Sequence, residues 1–392
     1  YEIPLRLVGS EMCIRDSFDP AEVQARLKPL TLTRPCARLR QGILTIEEKW
    51  QRRLSGDYSV ATADSALQPV FNPAPDPSRG LWIAGNIVPD AALADAVGSL
   101  APGEALRKGD RLIARNGSET SSREYDGELT AIDSLTDIFS GNDAAIAADF
   151  ELLTAGRTSQ PLDPTCRLIG DPSRLFIEEG ATLLCATINT LGGPVYIGRD
   201  ATVMEGVNIR GSLALCDHSQ LNMGAKIYGG TTIGPHCKVG GEINNAVFTG
   251  FSNKAHDGFL GNAVIGEWCN LGAGCVSSNL KNNYLETRLW SYASERFEPT
   301  GLQFTGLIMG DHSKAGINTM FNTATSVGVG CNIYGAGFPR TFIPSFSMGG
   351  AAGMTRQPFA KFVDTARKVM ARRHCELAPA MEAFLRTLYD RD

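Results

Sequence analysis

VYIGRDATVMEGVNIRGSLALCDHSQLNMGAKIYGGTTIGPHCKVG, residues 195–240, is the stretch whose reading decides the fold. Taking every sixth residue from Ile197 gives Ile197, Val203, Ile209, Leu215, Leu221, Ile227, Ile233 and Val239, an unbroken aliphatic series. Four places after each stand Ala201, Val207, Leu213, Ser219, Ala225, Thr231, Cys237 and Ile243, most of them small. A period of six matches neither the 3.6 of a helix nor the 2 of a strand, so no single amphipathic element accounts for it. A hexapeptide repeat marks a β-helix, in which each hexad forms one flat side of a triangular coil and points its aliphatic residue at the axis. Coils then stack at the strand spacing of about 4.8 Å, and each buries its neighbour's aliphatic row. The phase is lost after Asn244, returns as Phe259, Ile265 and Leu271, is lost after Val276, and returns as Met309, Ala315, Phe321, Val327 and Ile333. The small residues return with it, at Ala263, Cys269, Cys275, Ser313, Thr319, Thr325 and Cys331. The first loose hexads begin near Ile177 and Leu183.

The 392 residues leave room for further domains beside this solenoid. A formal net charge of −5, with no block of like charge, argues against a nucleic-acid surface. No apolar run approaches the roughly 18 residues needed to span a bilayer. The ten cysteines show no CxxC and no regular spacing, and several fall in coil-interior slots. They read as small apolar fillers in a reducing cytoplasm rather than as disulfides or metal ligands. The histidines also lack ligand spacing, so no metal site is indicated.

Residues 1–17, YEIPLRLVGSEMCIRDS, have no initiator Met and no apolar centre for a signal peptide. They resemble translated sequencing-adapter text and are expected to be an artefact. Residues 18–160 read as an α/β domain. Within it, Gly42 to Leu54 is a loop leading into an amphipathic helix, residues 72–80 are a turn-rich connector and Leu81-Trp-Ile-Ala-Gly is a short apolar strand. A helix over 137–153 leads to the solenoid, 161–350. The remainder, 351–392, reads as a helical appendage. Pro358 opens a helix with Phe359, Phe362, Val363, Ala366, Val369 and Met370 on one face, and Pro379 precedes a second carrying Phe384, Leu385 and Leu388. Arg367, Lys368, Arg372 and Arg373 are expected on the solvent side of the first.

Of the five histidines, His218, His236 and His312 occupy an outward corner slot of their hexads, and His374 lies in the terminal helix. His256 alone falls where the repeat phase is lost, which reads as an insertion, the place on a rigid scaffold where binding chemistry tends to sit. A general base of near-neutral pKa within about 3 Å of a nucleophile is worth roughly 10² to 10⁴ in rate. Histidine meets that without large tuning. A histidine that merely caps a turn leaves the same sequence trace. The second break, 279–306, carries Tyr284, Arg288, Trp290, Tyr292 and Arg296, and suits either a flap over a ligand or neighbouring subunit or a loop packed on its own coil.

The segment from Glu242 through His256 to Asn270-Leu-Gly-Ala273-Gly and on to Asn279 is similar to the left-handed β-helix acyltransferases. Among these it most resembles the bifunctional enzymes that acetylate glucosamine 1-phosphate and then uridylylate the product. Over its whole length the chain also resembles a group of uncharacterised sugar-nucleotidyltransferase-like proteins. The resemblance implies a left-handed parallel β-helix and a catalytic role for His256 as base with Glu242 beside it. It implies acceptor-sugar positions at Asn270 and Asn279, a thioester beside the backbone of Ala273, and Gly335 along the coenzyme A groove. Acetyl-coenzyme A would be the acyl donor, a sugar phosphate or nucleotide sugar the acceptor, and the assembly a homotrimer. The family's basic sugar-phosphate anchor falls on Asn244 and its substrate-binding Tyr on Phe259; Lys226 is placed to restore part of the charge.

The N-terminal domain resembles the nucleotidyltransferase half of the same enzymes in reduced form. Pro29-Leu-Thr to Pro35-Cys-Ala and Gly42 match a family stretch, but no GxGTR loop precedes them and Cys36 stands where a Lys contacts phosphate. Trp82-Ile-Ala-Gly85-Asn86 matches a strand whose final Asp holds magnesium, and Asn86 carries no charge. Nucleotidyl transfer depends on neutralising phosphate with metal and Lys. Magnesium therefore enters only if this domain is active. Two alternatives follow: a sugar-1-phosphate nucleotidyltransferase with a structural β-helix, and a non-catalytic scaffold that binds a nucleotide sugar.

Overall fold

A computed structural model describes residues 14–391. The chain divides into two compact units, one of residues 14–21, 35–38 and 46–132, the other of 22–34, 39–45 and everything from 133 onward. The expected boundary near 160 therefore moves. The helices Leu135–Ser140 and Asn142–Thr154 belong with the solenoid. There Ile146, Phe150 and Leu153 bury themselves against Phe176, Tyr196, Ala214 and Cys216 on the outside of a coil face. The single helix expected over 137–153 is two, joined at Gly141.

The smaller unit is built on a six-stranded sheet in the order 57–61, 14–18, 81–84, 111–116, 104–108, 121–124. Ile14–Phe18 runs parallel to both Asp57–Ala61 and Leu81–Ala84. Residues 14–17 thus sit in a strand paired on both sides. The rest of the stretch read as an artefact, 1–13, lies outside the described residues. All four residues of Leu81–Ala84 are buried, as a strand covered on both faces requires. The amphipathic helix forms over Ile46–Arg53, where Trp50 Nε1 donates to the Ile87 carbonyl at 2.9 Å.

The larger unit is the parallel β-helix of hexads. Nine strands stack in parallel on a first face, from Leu175–Ile177 to Phe342–Ile343, and nine on a second, from Thr182–Leu183 to Ser347–Gly350. A third face begins at Arg167–Ile169 and Thr187–Asn189. The series Ile197 to Val239 lies on the axis with each residue at most 2% exposed, and Ile265, Leu271, Met309, Ala315, Phe321, Val327 and Ile333 continue it. Burying one such side chain is worth about 1.5–3 kcal/mol, and the coils share one continuous core.

Phe259 does not belong to that series. Leu260 pairs with Ile243 and is fully buried, whereas Phe259 faces outward in register with Glu242. The coil loses two residues at the Gly240–Gly241 corner, so that Ile243 and not residue 245 follows Val239 inward. Nor is 245–258 an insertion: Asn253–Lys254 pairs with Lys238–Val239 below and Asn270 above.

The other departure, 279–306, does leave the coil. It forms a hairpin of Arg288–Ser291 and Arg296–Pro299, and Trp290 stacks on Phe342 of its own solenoid at 4.1 Å. After the last coil come the helices Phe359–Ala371 and Pro379–Arg391 with the expected buried faces, except that Val369 is only half-buried.

Candidate functional site

The residues singled out in the sequence fall on two surfaces of the β-helix and the corner between them. On the third face Asn208, Lys226, Glu242 and Phe259 pair in register, one per coil, with their side chains outward. Lys226 is exposed and Glu242 half-buried. A Cβ on Gly261 would lie 2.6 Å from Phe259 Cζ and 2.8 Å from Asn279 Nδ2, so Phe259 and Asn279 flank a spot that only glycine leaves open. Asn279 is held there by donating to Asn262 Oδ1 at 2.8 Å.

His256 stands at the corner between the second and third faces. Its side chain is exposed, and the turn beneath it is tightly fixed. Gly258 has φ +129°, and a Cβ there would lie 2.0 Å from the Cys275 carbonyl oxygen, so this turn admits no other residue. The Glu242 amide donates to the Gly258 carbonyl at 3.1 Å, tying the His256 turn to the third face. No hydrogen bond joins the His256 and Glu242 side chains among the described residues. Ala273 occupies the same corner one coil further on: the Gly274 amide donates to the Asp257 carbonyl at 3.1 Å. Ala273 is exposed, and its carbonyl accepts from the Asn318 amide at 2.7 Å. Gly335, exposed and with φ +105°, lies on the corner ridge further along. Asn270 is not with Asn279. It projects from the second face, between Asn253 and Lys314 in register.

Two features of this region escape the sequence. Lys254 takes the axial slot above Val239 and is fully buried, with Nζ donating to the His256 carbonyl at 2.9 Å. Burial pulls its pKa down to about 8. A lysine reads as a surface residue, and only the register reveals it. The corner between the first and second faces carries an aromatic ladder, His218, His236, Phe251 and Trp268, with successive rings 4.8, 4.7 and 4.2 Å apart. His312 continues it at 6.3 Å, with burial pushing its pKa down to about 3. All five occupy left-handed backbone conformations. The 18-residue step from His218 to His236, three hexads, is the trace that could have disclosed it.

In the smaller unit, Cys36 is fully buried and its amide donates to Asp19 Oδ1 at 2.7 Å. Burial raises the Asp19 carboxyl to about 6 and pushes the Cys36 thiol well up. Asn86 is 2% exposed, and its Nδ2 reaches the Ile132 carbonyl at 3.4 Å. A buried thiol and a buried carboxamide do not fit a magnesium–triphosphate site.

The chain joins an α/β unit to a parallel β-helix of hexads. Residues 17–158 match the family model described as sugar nucleotidyl transferase. The chain is 34% identical over 86 residues to the bifunctional protein GlmU of Trichodesmium erythraeum, covering 21% of this chain and 18% of the relative. It is 26% identical over 180 residues to the GlmU of Synechococcus elongatus, covering 44% and 35%. The chain thus spans about a third or less of these relatives' length. Among solved structures it is similar to a UDP-N-acetylglucosamine acyltransferase from Campylobacter jejuni, with 15% identity, a TM-score of 0.22, and coverage of 57% of this chain and 94% of that one. The chain is thus similar to the sugar nucleotidyl transferase family over its first part and to bifunctional GlmU proteins over less than half of its length.

Proposed function

We propose that this protein is an acyltransferase that moves an acetyl or similar group from coenzyme A to a sugar phosphate or nucleotide sugar. The observation that carries the reading is the corner at His256: an exposed imidazole on a rigid turn, one coil from the exposed Ala273 and beside the outward row of Lys226 and Glu242. His256 takes the proton from the acceptor hydroxyl or amine as that atom attacks the thioester carbonyl, and the coenzyme A thiolate leaves. The Ala273 amide, which has no partner among the described residues, is placed to donate to the developing oxyanion, a role worth about 3–4 kcal/mol when such a donor is removed. Lys226 supplies charge for the acceptor's phosphate, and Asn279 contributes to the sugar site. Gly335 leaves the ridge open for the donor. Glu242 acts on His256 only with acceptor bound, since no hydrogen bond joins the two side chains among the described residues.

No helix among the described residues is long and apolar enough to cross a membrane. We read the chain as cytoplasmic and as a homotrimer in which the second face of one copy completes the His256 corner of the next. That arrangement would bring Asn270 to the site, which it does not reach within one chain. The smaller unit acts as a binding or positioning domain, because Cys36 and Asn86 replace the charges nucleotidyl transfer needs.

The test is coenzyme A release from acetyl-coenzyme A in the presence of a panel of amino-sugar phosphates and nucleotide sugars. Acceptor-dependent release that falls by about 10²-fold or more in His256→Ala is expected. Release undiminished by that substitution would sink the mechanism. Magnesium-dependent pyrophosphate release from a nucleoside triphosphate would favour the nucleotidyltransferase instead, and tight binding without turnover the scaffold.

A further inference from the structure

On the second face of the β-helix the inward slots read Leu183, Val203, Leu221, Val239, Lys254, Leu271, Ala315 and Ile333, one per coil in register. Seven of these side chains are apolar, and Lys254 is fully buried among them. A charge taken out of water lowers stability, whereas an aliphatic side chain would simply extend the row. The lysine in this slot therefore calls for a reason other than packing.

The backbone around it supplies one. At the corner between the second and third faces, coils are tied to the coil below by an amide-to-carbonyl bond: Gly206 to Cys185 at 3.0 Å, Gly224 to Glu205 at 3.1 Å, Gly274 to Asp257 at 3.1 Å and Asn318 to Ala273 at 2.7 Å. The series is interrupted at Gly240–Gly241, where the corner is two residues short. No bond of this kind ties the His256 turn to the coil below among the described residues. Lys254 Nζ fills the gap from inside, donating to the His256 carbonyl at 2.9 Å and to the Gly240 carbonyl at 3.5 Å. No other donor reaches either carbonyl among the described residues. Two glycines keep the space clear: a Cβ on Gly241 would lie 2.9 Å from the His256 carbonyl oxygen, and one on Gly258 3.3 Å from Lys254 Nζ. Burial takes the lysine pKa down to about 8, with Cys275 and Asp257 the titratable groups that face it and oppose that fall, so the ammonium still holds its charge at pH 7.

We propose that Lys254 is a positioning residue for His256, its ammonium standing in for the missing corner bond so that the imidazole is displayed from an ordered turn. Lys254 touches neither donor nor acceptor and moves no proton; it acts through the His256 backbone alone. This role rests on the reading of His256 as the base, since a base must be held within about 0.5 Å of its working geometry, whereas a corner that does no chemistry gains nothing from a buried charge.

Lys254→Met in the full chain keeps an unbranched side chain in the slot and removes the donor. Acceptor-dependent coenzyme A release should show kcat lowered by about 10- to 100-fold, with KM for donor and acceptor within about twofold of the parent. Hydrogen exchange at the Glu242 and Gly274 amides, which donate to the Gly258 and Asp257 carbonyls of the turn, should quicken by about tenfold or more, while the Gly224 and Asn318 amides of the neighbouring corner bonds keep their rates and the melting temperature does not fall. Lys254→Gln, which leaves a neutral donor in the slot, should recover part of kcat. Unchanged kcat in the folded Met variant overturns the proposal, and so does unchanged exchange at Glu242 and Gly274. If the parent itself releases no coenzyme A, the acyl-transfer reading has failed on its own account, and the exchange rates alone decide whether Lys254 holds the turn.

Discussion

Lys254 Nζ donates to the carbonyl of His256 at 2.9 Å from inside the β-helix, so the turn that displays the imidazole is braced by a charge buried in the aliphatic core. The slot belongs to an aliphatic side chain in the coil below, where Val239 fills it. Burial takes the lysine from an ordinary 10.5 to about 8. Between those values the unfolded chain holds a proton that the folded chain has lost, so stability rises with pH through the window and the full cost is present below it. Lys314, also lowered to about 8, adds to the same slope. Lys254→Met should therefore raise stability at pH 7 by about 3 kcal/mol and flatten the rise between pH 8 and 10. Calorimetric unfolding across that range checks it. If acyl transfer in this variant falls although stability rises, the lysine positions the His256 turn.

Arg34 is the opposite case, a buried charge that is fully paired. It reaches Asp311 at 2.5 Å and Glu267 at 3.1 Å, and Thr33 Oγ1 donates to the same Asp311 carboxylate at 2.7 Å. Burial opposes ionisation of Asp311, but Arg34 and Thr33 more than offset it and hold its pKa below the usual carboxylate range. The contribution is present above pH of about 4 and lost as pH falls through the lower folded value. Arg34→Met strands Asp311 and should cost about 3–5 kcal/mol, whereas Arg34→Met/Asp311→Leu recovers much of the loss. Urea unfolding of both at pH 7 decides it, and equal destabilisation would refute the pairing argument.

The aliphatic rows were legible because a hexad shows its inward residue by chemistry alone. What failed was counting across corners. The step from Leu260 to Ile265 is one residue short, so counting six back from Ile265 puts Phe259 inside where the register puts Leu260, and the two residues missing at Gly240–Gly241 made the His256 turn look like an insertion. Lys254 was illegible because its slot is set by neighbours 15 and 17 residues away, Val239 and Leu271, not by its own character. Arg367, Lys368 and Arg372 are exposed as expected, but Arg373 is half-buried and donates to Asn253 Oδ1, because a helical wheel does not show what stands opposite. Asn270 and Asn279, close in the motif, diverge because a coil turns the chain from one face to another between them.

The hairpin 288–299 is anchored by Trp290, stacked on Phe342 at 4.1 Å, with Tyr292 edge-on to the same ring at 5.6 Å. Aromatic pairs of this kind add about 0.5–1.5 kcal/mol beyond area burial. Trp290→Ala should release the hairpin without melting the solenoid, so limited proteolysis will cut within 288–299 at rates at least several-fold above the parent while the main thermal transition stays within a few degrees. Unchanged proteolysis would show that the Thr287, Thr300 and Thr305 hydroxyl cluster at its base holds it alone.

His312 closes the aromatic ladder and packs edge-on against Phe362 of the first C-terminal helix at 5.9 Å. Burial pushes its pKa down to about 3 from an ordinary 6.5, and Lys314 and Arg34 add to that while Asp311 opposes it. Its Nδ1 has no hydrogen-bond partner among the described residues. As pH falls below 6.5 the unfolded chain takes up a proton that the folded chain refuses, so stability declines steadily from about 6.5 towards 3. Phenylalanine keeps the ring in the stack and abolishes the titration. His312→Phe should thus match the parent at pH 7.5 and hold a higher melting temperature at pH 5, the gap widening as acid is added. Parallel melting curves for the two proteins over pH 4–7.5 would mean that the imidazole gains its proton inside the folded chain and that the ladder does not exclude it.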